Sequence, residues 1–395
     1  MPRKLDDFLR AYIEYTQNSE SPVSYHTWCG IGLVSSALER RCFMEWGHTT
    51  IYPNQYIVLI GPSGRARKGE PIDIARSFLD HVGCNLIPES ITREALIRRM
   101  REAMSHYQYG EKLVAQCPIV IVAEEFAVFL GENNIRLLTD MTNWYDSRKK
   151  WTYDTKHEGT DNIHGVCANV IASMAPDWIP LTLPQGVIGG GFTSRILFVV
   201  EHKKGKTIAD PTAFPRDEVL ERALQHDLEV IKRLKGQFYF TDEAKAAYID
   251  WYTKEEERIE RGNPALQDPR FAGYVSRRAT HVKKIGMVLS SSRGGDLKLT
   301  IGDFRRARQM LERVEVNMEE VFGRVGRATY SEQTYLILEF IEQRKEVTKS
   351  ELMRHFYRDV DSKMMDIIES TIHTMRLVER DTRKIEGEIV YIWKG

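Results

Sequence analysis

Cysteine is scarce, with five in 395 residues, at Cys29, Cys42, Cys84, Cys117 and Cys167. They are scattered, odd in number and include no CxxC pair, which argues against a disulfide framework and a structural zinc site. Such thiols suit a reducing cytoplasm. Net charge is missing too, because 56 Lys and Arg balance 56 Asp and Glu. The whole chain is therefore no electrostatic magnet for nucleic acid, and any such binding must come from local patches. Long apolar runs are absent. Runs such as 119–123 and 196–200 fall far short of the ~20 residues that cross a bilayer, so no membrane partner is expected. The opening residues Met1–Asp7 carry no apolar signal segment. No internal repeat or low-complexity segment stands out.

What remains is an ordinary soluble composition, in a chain long enough for two or three domains. Residues 1–50 read as an N-terminal helical region, with Leu5, Phe8, Leu9, Tyr12 and Ile13 at helical spacing. From 51 to 210, apolar runs alternate with helical patterns. Residues 56–60, 118–123, 165–173 and 196–200 read as buried strands, and 70–80, 92–106 and 132–147 as helices. That alternation predicts an α/β fold with a parallel sheet. Residues 211–328 read as a charged helical subdomain. Residues 329–395 read as three helices followed by a terminal β-pair, the winged-helix arrangement.

The strand 56–60 runs into Gly61, Pro62, Ser63, Gly64, Arg65, Ala66, Arg67, Lys68, Gly69 and Glu70. A strand, a small-residue loop and a lysine at a helix start are the layout of a nucleoside triphosphate loop. The usual spacing is Gly, four residues, Gly, Lys, then Ser or Thr. Here Lys68 lies one residue further on, and no hydroxyl follows it. Gly61 and Gly64 permit the tight turn. The helix start adds N–H groups and its dipole. Lys68 is the natural phosphate lysine, with Arg67 the alternative if the loop is not extended. The competing reading is a plain strand–turn–helix connection with basic residues on its surface.

The strand 118–123 ends in Glu124 and Glu125. ATP hydrolysis needs one carboxylate to hold Mg²⁺, here Glu124, and another to orient the attacking water, here Glu125. Asn169, inside the next apolar run, must find a hydrogen-bond partner; it either senses the γ-phosphate or bonds a loop backbone. Ser173 and Asp177 are further candidates. Arg195, after Gly189–Gly191, either clamps phosphoryl oxygens from a neighbouring subunit or pairs with a carboxylate. Arg277 and Arg278 form a second basic pair.

The loop 61–69, the Ala-Glu-Glu strand end 123–125 and Gly-Gly-Phe-Thr-Ser-Arg at 190–195 resemble a family of phage- and plasmid-encoded P-loop proteins. These are related to the ring-forming replicative helicases of mobile elements and are described as primase- or helicase-like. The resemblance covers roughly residues 20–310. It implies a RecA/AAA-like ATPase core using ATP and Mg²⁺, assembly into a homo-oligomeric ring with a hexamer favoured, and movement along single-stranded or forked DNA. It also implies a bacterial host cell and a primase or initiator as partner. Ser or Thr usually follows Lys-Gly in that family, whereas Glu70 stands here.

In the C-terminal unit, helix 361–376 would enter a groove. Lys349, Arg354, Lys363 and Arg376 are the expected DNA contacts, although Asp366 and Glu369 share that helix. The expected function is an ATP-dependent DNA helicase or translocase. The alternative is an ATP-binding replication initiator or helicase loader that hydrolyses weakly or not at all.

Overall fold

The structure is a computed structural model describing residues 2–155, 159–183, 187–322, 331–375, 377–381 and 388–394. The chain divides into two compact units, Met1–Phe322 and Gly323–Gly395.

In the first unit the apolar runs form a parallel sheet. Its strands are β1 (Tyr56–Ile60), β2 (Leu86–Ile87), β3 (Lys112–Ala123), β4 (Val166–Met174) and β5 (Ile196–Val200). Across the sheet they run β5-β1-β4-β3-β2. β1, β4 and β5 are buried along their whole length, as strands covered on both faces must be.

The covering helices include α1 (Phe8–Tyr15), α2 (Val23–Leu38), α3 (Gly69–His81), α4 (Arg93–Glu102) and α5 (Ile135–Tyr145). Side chains alternate along each strand, which assigns the faces. Tyr56 turns to α5, where its hydroxyl donates to the Met141 carbonyl at 2.7 Å. Asn169 turns to α2, where Ser35 donates to it at 2.5 Å. All five strands run the same way, so the carboxyl ends of β1, β3 and β4 share one edge.

The helix expected over 92–106 stops at Glu102. Ser105–Tyr109 is a strand, antiparallel to the start of β3. Gly110 turns the hairpin at φ 58°, and the tyrosines at 107 and 109 favour extended backbone. Beyond β5 come α6 (Glu218–Lys232), α7 (Asp242–Glu260), α8 (Arg278–Arg293) and α9 (Ile301–Glu315). α8 is buried although it carries His281, Lys283 and Lys284. The five cysteines are unpaired. Among the described residues no helix is long and apolar enough to cross a membrane.

The second unit has helices α10 (Ser331–Arg344), α11 (Lys349–His355) and α12 (Ser362–Met375). They pack with strands β6 (Glu346–Thr348), β7 (Val378–Asp381) and β8 (Val390–Trp393), in the antiparallel order β6-β8-β7. Ile337, Ile341, Leu352, Ile368, Ile372 and Tyr391 are among the residues of its own core.

Candidate functional site

At the carboxyl edge of the sheet, β1 leads through Gly61 and Pro62 into the loop and α3. Gly64 turns the chain at φ 70°, and Arg67 adopts a left-handed φ of 51° without being glycine. Such local strain clusters at ligand sites. Lys68 is the N-cap of α3, and no side chain caps the helix. No capping side chain thus meets its first N–H groups, the kind of helix start that suits an anion. Lys68 is buried, and its Nζ donates to the Gly61 carbonyl at 2.7 Å. Burial lowers the Lys68 pKa, and the charge of Glu125 opposes that shift.

β3 delivers Glu124 and Glu125 to the same edge. A Cβ at position 69 would lie 3.1 Å from Glu124 Oε2, so glycine there lets the carboxylate approach the helix start. Glu124 shares a hydrogen bond with Asp73 of α3. Its pKa is raised by burial first, then by Asp73 and Glu89, against the pull of Arg76. The backbone N–H of Glu125 donates to Glu89 Oε1 at 2.6 Å. Ser173, near the end of β4, donates its hydroxyl to the Glu124 carbonyl at 2.5 Å. Ser63, Gly64, Lys68, Gly69, Glu70, Glu124, Glu125 and Ser173 line one cleft of about 540 Å³, together with Arg67, Asn18, Glu20, Ile208 and Pro211.

Two of the expected site residues lie elsewhere. Asn169 is buried at the opposite end of β4, where its Oδ1 accepts from Ser35 Oγ and from the Gln55 N–H at 2.9 Å. It is a core hydrogen-bond partner, and Ser173 is the polar residue of β4 that reaches the cleft. Arg195 precedes β5, at the amino edge. It is buried and grips Asp146 through Nε at 3.1 Å and Nη2 at 2.7 Å. A third N–H donates to the Gly191 carbonyl at 2.5 Å. It is not a free cation, because its donors are engaged within its own chain. Arg278 is likewise held, by Glu255 and Glu315, and Arg277, 34% exposed, lies 3.9 Å from the same Asp146 that pairs with Arg195.

Glu70 lines the same cleft, but its carboxylate is engaged by neighbouring hydroxyls. Its Oε2 accepts from Ser19 at 2.7 Å and Ser21 at 3.3 Å. Arg67 pairs with Glu20 at 3.2 Å, which leaves Lys68 as the lysine of the loop.

Among the described residues no three His, Cys, Asp or Glu are arranged to hold a metal on their own. A nucleotide-bound Mg²⁺ needs fewer protein ligands, because phosphate and water supply the rest. The Asp73–Glu124 pair fits that demand. Glu124, held against a second carboxyl with its own pKa raised, would be relieved by a divalent cation as it is by a proton. Asp73 and Glu89 were not read from the sequence. The signal for Asp73 was its place one turn beyond Gly69, on the helix that starts at the loop. Glu89 sits in a loop with no local pattern.

In the second unit, Lys349 is tied to Glu369 at 2.7 Å and Asp366 at 3.1 Å. It is not a free phosphate contact, because the acids of α12 neutralise it. Arg354 and Lys363 are exposed. Arg376 lies outside the described residues. A more basic surface occurs in the first unit. Arg148, Lys149 and Lys150 are exposed in series, at the start of an antiparallel hairpin formed by Lys150–Thr155 and Gly159–His164. Trp151 of that hairpin stacks on Tyr153 with ring centroids 6.1 Å apart.

No family model matches the chain, and no curated protein matches it in sequence.

Proposed function

We propose that the chain is an ATP-dependent DNA helicase or translocase of phage or plasmid replication, built on a RecA/AAA-like P-loop core that works as a ring, with a hexamer favoured. One observation carries the reading. The loop, its buried lysine, two strand-end glutamates and a serine from the strand between them line a single cleft at the carboxyl edge of a parallel sheet. That edge is where open α/β sheets bind ligands. In this reading Lys68 and the start of α3 hold the β- and γ-phosphates. Glu124, with Asp73, holds Mg²⁺. Glu125 orients the attacking water, and Ser173 takes the polar position beside Glu124. Bound Mg²⁺ offsets the phosphate charge. Arg277 also pairs with Asp146, but more loosely than Arg195 does, and its partly exposed side chain is the more open of the two to a neighbouring subunit.

The DNA contact is best assigned to the hairpin at 150–164. Consecutive cations beside stacked aromatic rings suit a single strand, whose backbone needs charge and whose bases need a stacking surface. The three helices and antiparallel sheet of the second unit support the winged-helix reading, with the acids of α12 favouring a protein partner over DNA.

One observation favours a second reading, an ATP-binding initiator or loader that hydrolyses weakly or not at all. No hydroxyl follows Lys68, and Glu70 is held by Ser19 and Ser21. The deciding experiment is ATP turnover with and without single-stranded DNA, with particle size measured on the same sample. Turnover stimulated by DNA and lost in Lys68→Ala supports the motor. ATP binding without turnover supports the scaffold. No nucleotide binding sinks both.

A further inference from the structure

Segment 17–21 lines two cavities. Asn18 and Glu20 line the loop cleft, while Gln17, Ser19 and Ser21 line a second cavity of about 320 Å³. That volume falls in the range of small-molecule sites, ~300–1,000 Å³. Ile13, Val23, Gly205 and His26 contribute to its walls.

His26 is the unusual member. It is 2% exposed, and neither ring nitrogen meets a hydrogen-bonding protein group. Buried polar atoms are normally paired. Burial, with the charge of Lys206 adding to it, lowers the His26 pKa to about 4. The ring is therefore neutral at pH 7, with one donor nitrogen and one acceptor nitrogen. Lys206, at the same cavity, donates its ammonium to the Gln17 carbonyl.

These features narrow the ligand. A phosphate or carboxylate would meet a neutral ring and an ammonium already engaged. An aliphatic ligand would leave the imidazole unpaired in an apolar cavity. A flat neutral ring with donors and acceptors on its edge satisfies both the walls and the histidine. The geometry points to a nucleobase pocket, in which His26 hydrogen-bonds the edge of a purine-type base packed against Ile13 and Val23. The base has two possible sources. It is either the base of the nucleotide held by the loop, a case that rests on the triphosphate reading above, or a separate nucleoside. Either would feel the loop, because Ser19 and Ser21 of the shared wall hold Glu70 of α3.

Calorimetric titration of the full chain with ATP, inorganic tripolyphosphate and adenosine tests this. If the base belongs to the bound nucleotide, the wild type prefers ATP over tripolyphosphate. His26→Phe then erases that preference, on the order of tenfold. His26→Gln, which keeps a donor and an acceptor, restores most of it, and Lys68→Ala weakens both ligands. If the base is separate, adenosine binds the wild type and Lys68→Ala equally and is lost in His26→Phe.

The pocket is overturned if His26→Phe changes neither the ATP preference nor adenosine binding. It is also overturned if neither ATP nor adenosine binds the wild type. Lys68-dependent binding of tripolyphosphate in either case leaves the loop reading standing alone. Should His26→Phe fail to fold, the imidazole ¹⁵N resonance of His26 in the wild type decides. It shifts on adding adenosine or ATP if the pocket is real, and an unmoved resonance ends the proposal.

Discussion

The two edges of the parallel sheet hold equally polar residues that do opposite things. At the carboxyl edge, Lys68, Glu124, Glu125 and Ser173 line an open cleft, and Glu124 shares its hydrogen bond with another acid. At the amino edge, Asn169, Arg195 and Lys284 are buried and paired inside the chain. Lys284 donates to the Asn54 carbonyl at 3.0 Å and to its Oδ1 at 2.7 Å, with its ammonium 3.9 Å from the Tyr145 ring centroid. A polar residue in an apolar strand thus announces a need for partners and says nothing about which edge meets it. At the first edge Glu124 is held against the carboxyl of Asp73, with its pKa raised. The second is already satisfied and serves the fold.

Substitutions at the two edges should therefore separate turnover from stability. The largest effect is expected at the cleft. Lys68→Ala and Glu125→Gln should each lower ATP turnover by about 10²–10⁴-fold, as loss of a phosphate anchor or of a water-orienting group does. Thermal unfolding should move little, because Glu125 is exposed and Lys68 donates only one hydrogen bond. Near-normal turnover in either variant would remove the catalytic assignment of this edge.

Arg195→Ala should act the other way. Breaking a buried pair costs about 3–5 kcal/mol when both partners are buried. Asp146 is 27% exposed, so about 2–3 kcal/mol is expected here after allowing for solvent screening. Asn169→Ala strands the Gln55 N–H, while the Ser35 hydroxyl keeps the Pro53 carbonyl at 2.9 Å, and should cost roughly 1–3 kcal/mol. Denaturant unfolding measures both, and turnover per folded molecule should stay unchanged. A folded Arg195→Ala protein whose turnover collapses and no longer rises with protein concentration would return Arg195 to a role between subunits.

pH should set the edges against each other. His281 is buried beside the Ser194 carbonyl, and burial lowers its pKa to about 3. Above the ordinary value of 6.5 its neutral form costs nothing. As pH falls from 6.5 towards 3, the unfolded chain takes up a proton that the folded chain refuses, and stability drops. Lys284, lowered to about 7 by burial, has the same sign. Its contribution is whole above 10.5 and is lost as pH falls through 7. Glu124 has the opposite sign. Its raised pKa favours the fold below the ordinary 4.5 and loses that contribution as pH rises, a small effect for an exposed group. The melting temperature should therefore fall steadily from pH 7 to pH 5, and less steeply in His281→Asn. Equal slopes in the two proteins would place the acid sensitivity elsewhere.

Much of the cleft was legible because its parts are local patterns. A strand running into Gly61 and a strand ending in Glu124 are visible without knowing what lies beside them. Asn169 shows where that method stops. Asn169 and Ser173 lie in one apolar run and point to the same face, four residues apart, so neither period nor polarity separates them. Register does. Ser173 pairs with Leu59, one residue from the end of β1, whereas Val170, next to Asn169, pairs with Tyr56 at its start. Strand pairing is tertiary information. The partners of Arg195 were hidden for the same reason, since Asp146 is 49 residues away. The hairpin at 105–109 was lost to a helical reading that the tyrosines and Gly110 argued against.

The smallest effect expected sharpens the boundary of the cleft itself. Glu70 stands where a cation-binding hydroxyl occurs in similar loops, yet its carboxylate receives the hydroxyls of Ser19 and Ser21. If those bonds are its whole role, Glu70→Gln keeps an acceptor oxygen, loosens segment 17–21 and costs about 1 kcal/mol or less. ATP turnover should then stay within about threefold of the wild type, since ~1 kcal/mol is less than a tenfold change in rate. A loss as deep as that of Glu125→Gln, relieved by raising Mg²⁺, would mean that Glu70 swings away from the serines to meet the cation. It would then serve the cation rather than hold the wall of the cleft that it lines.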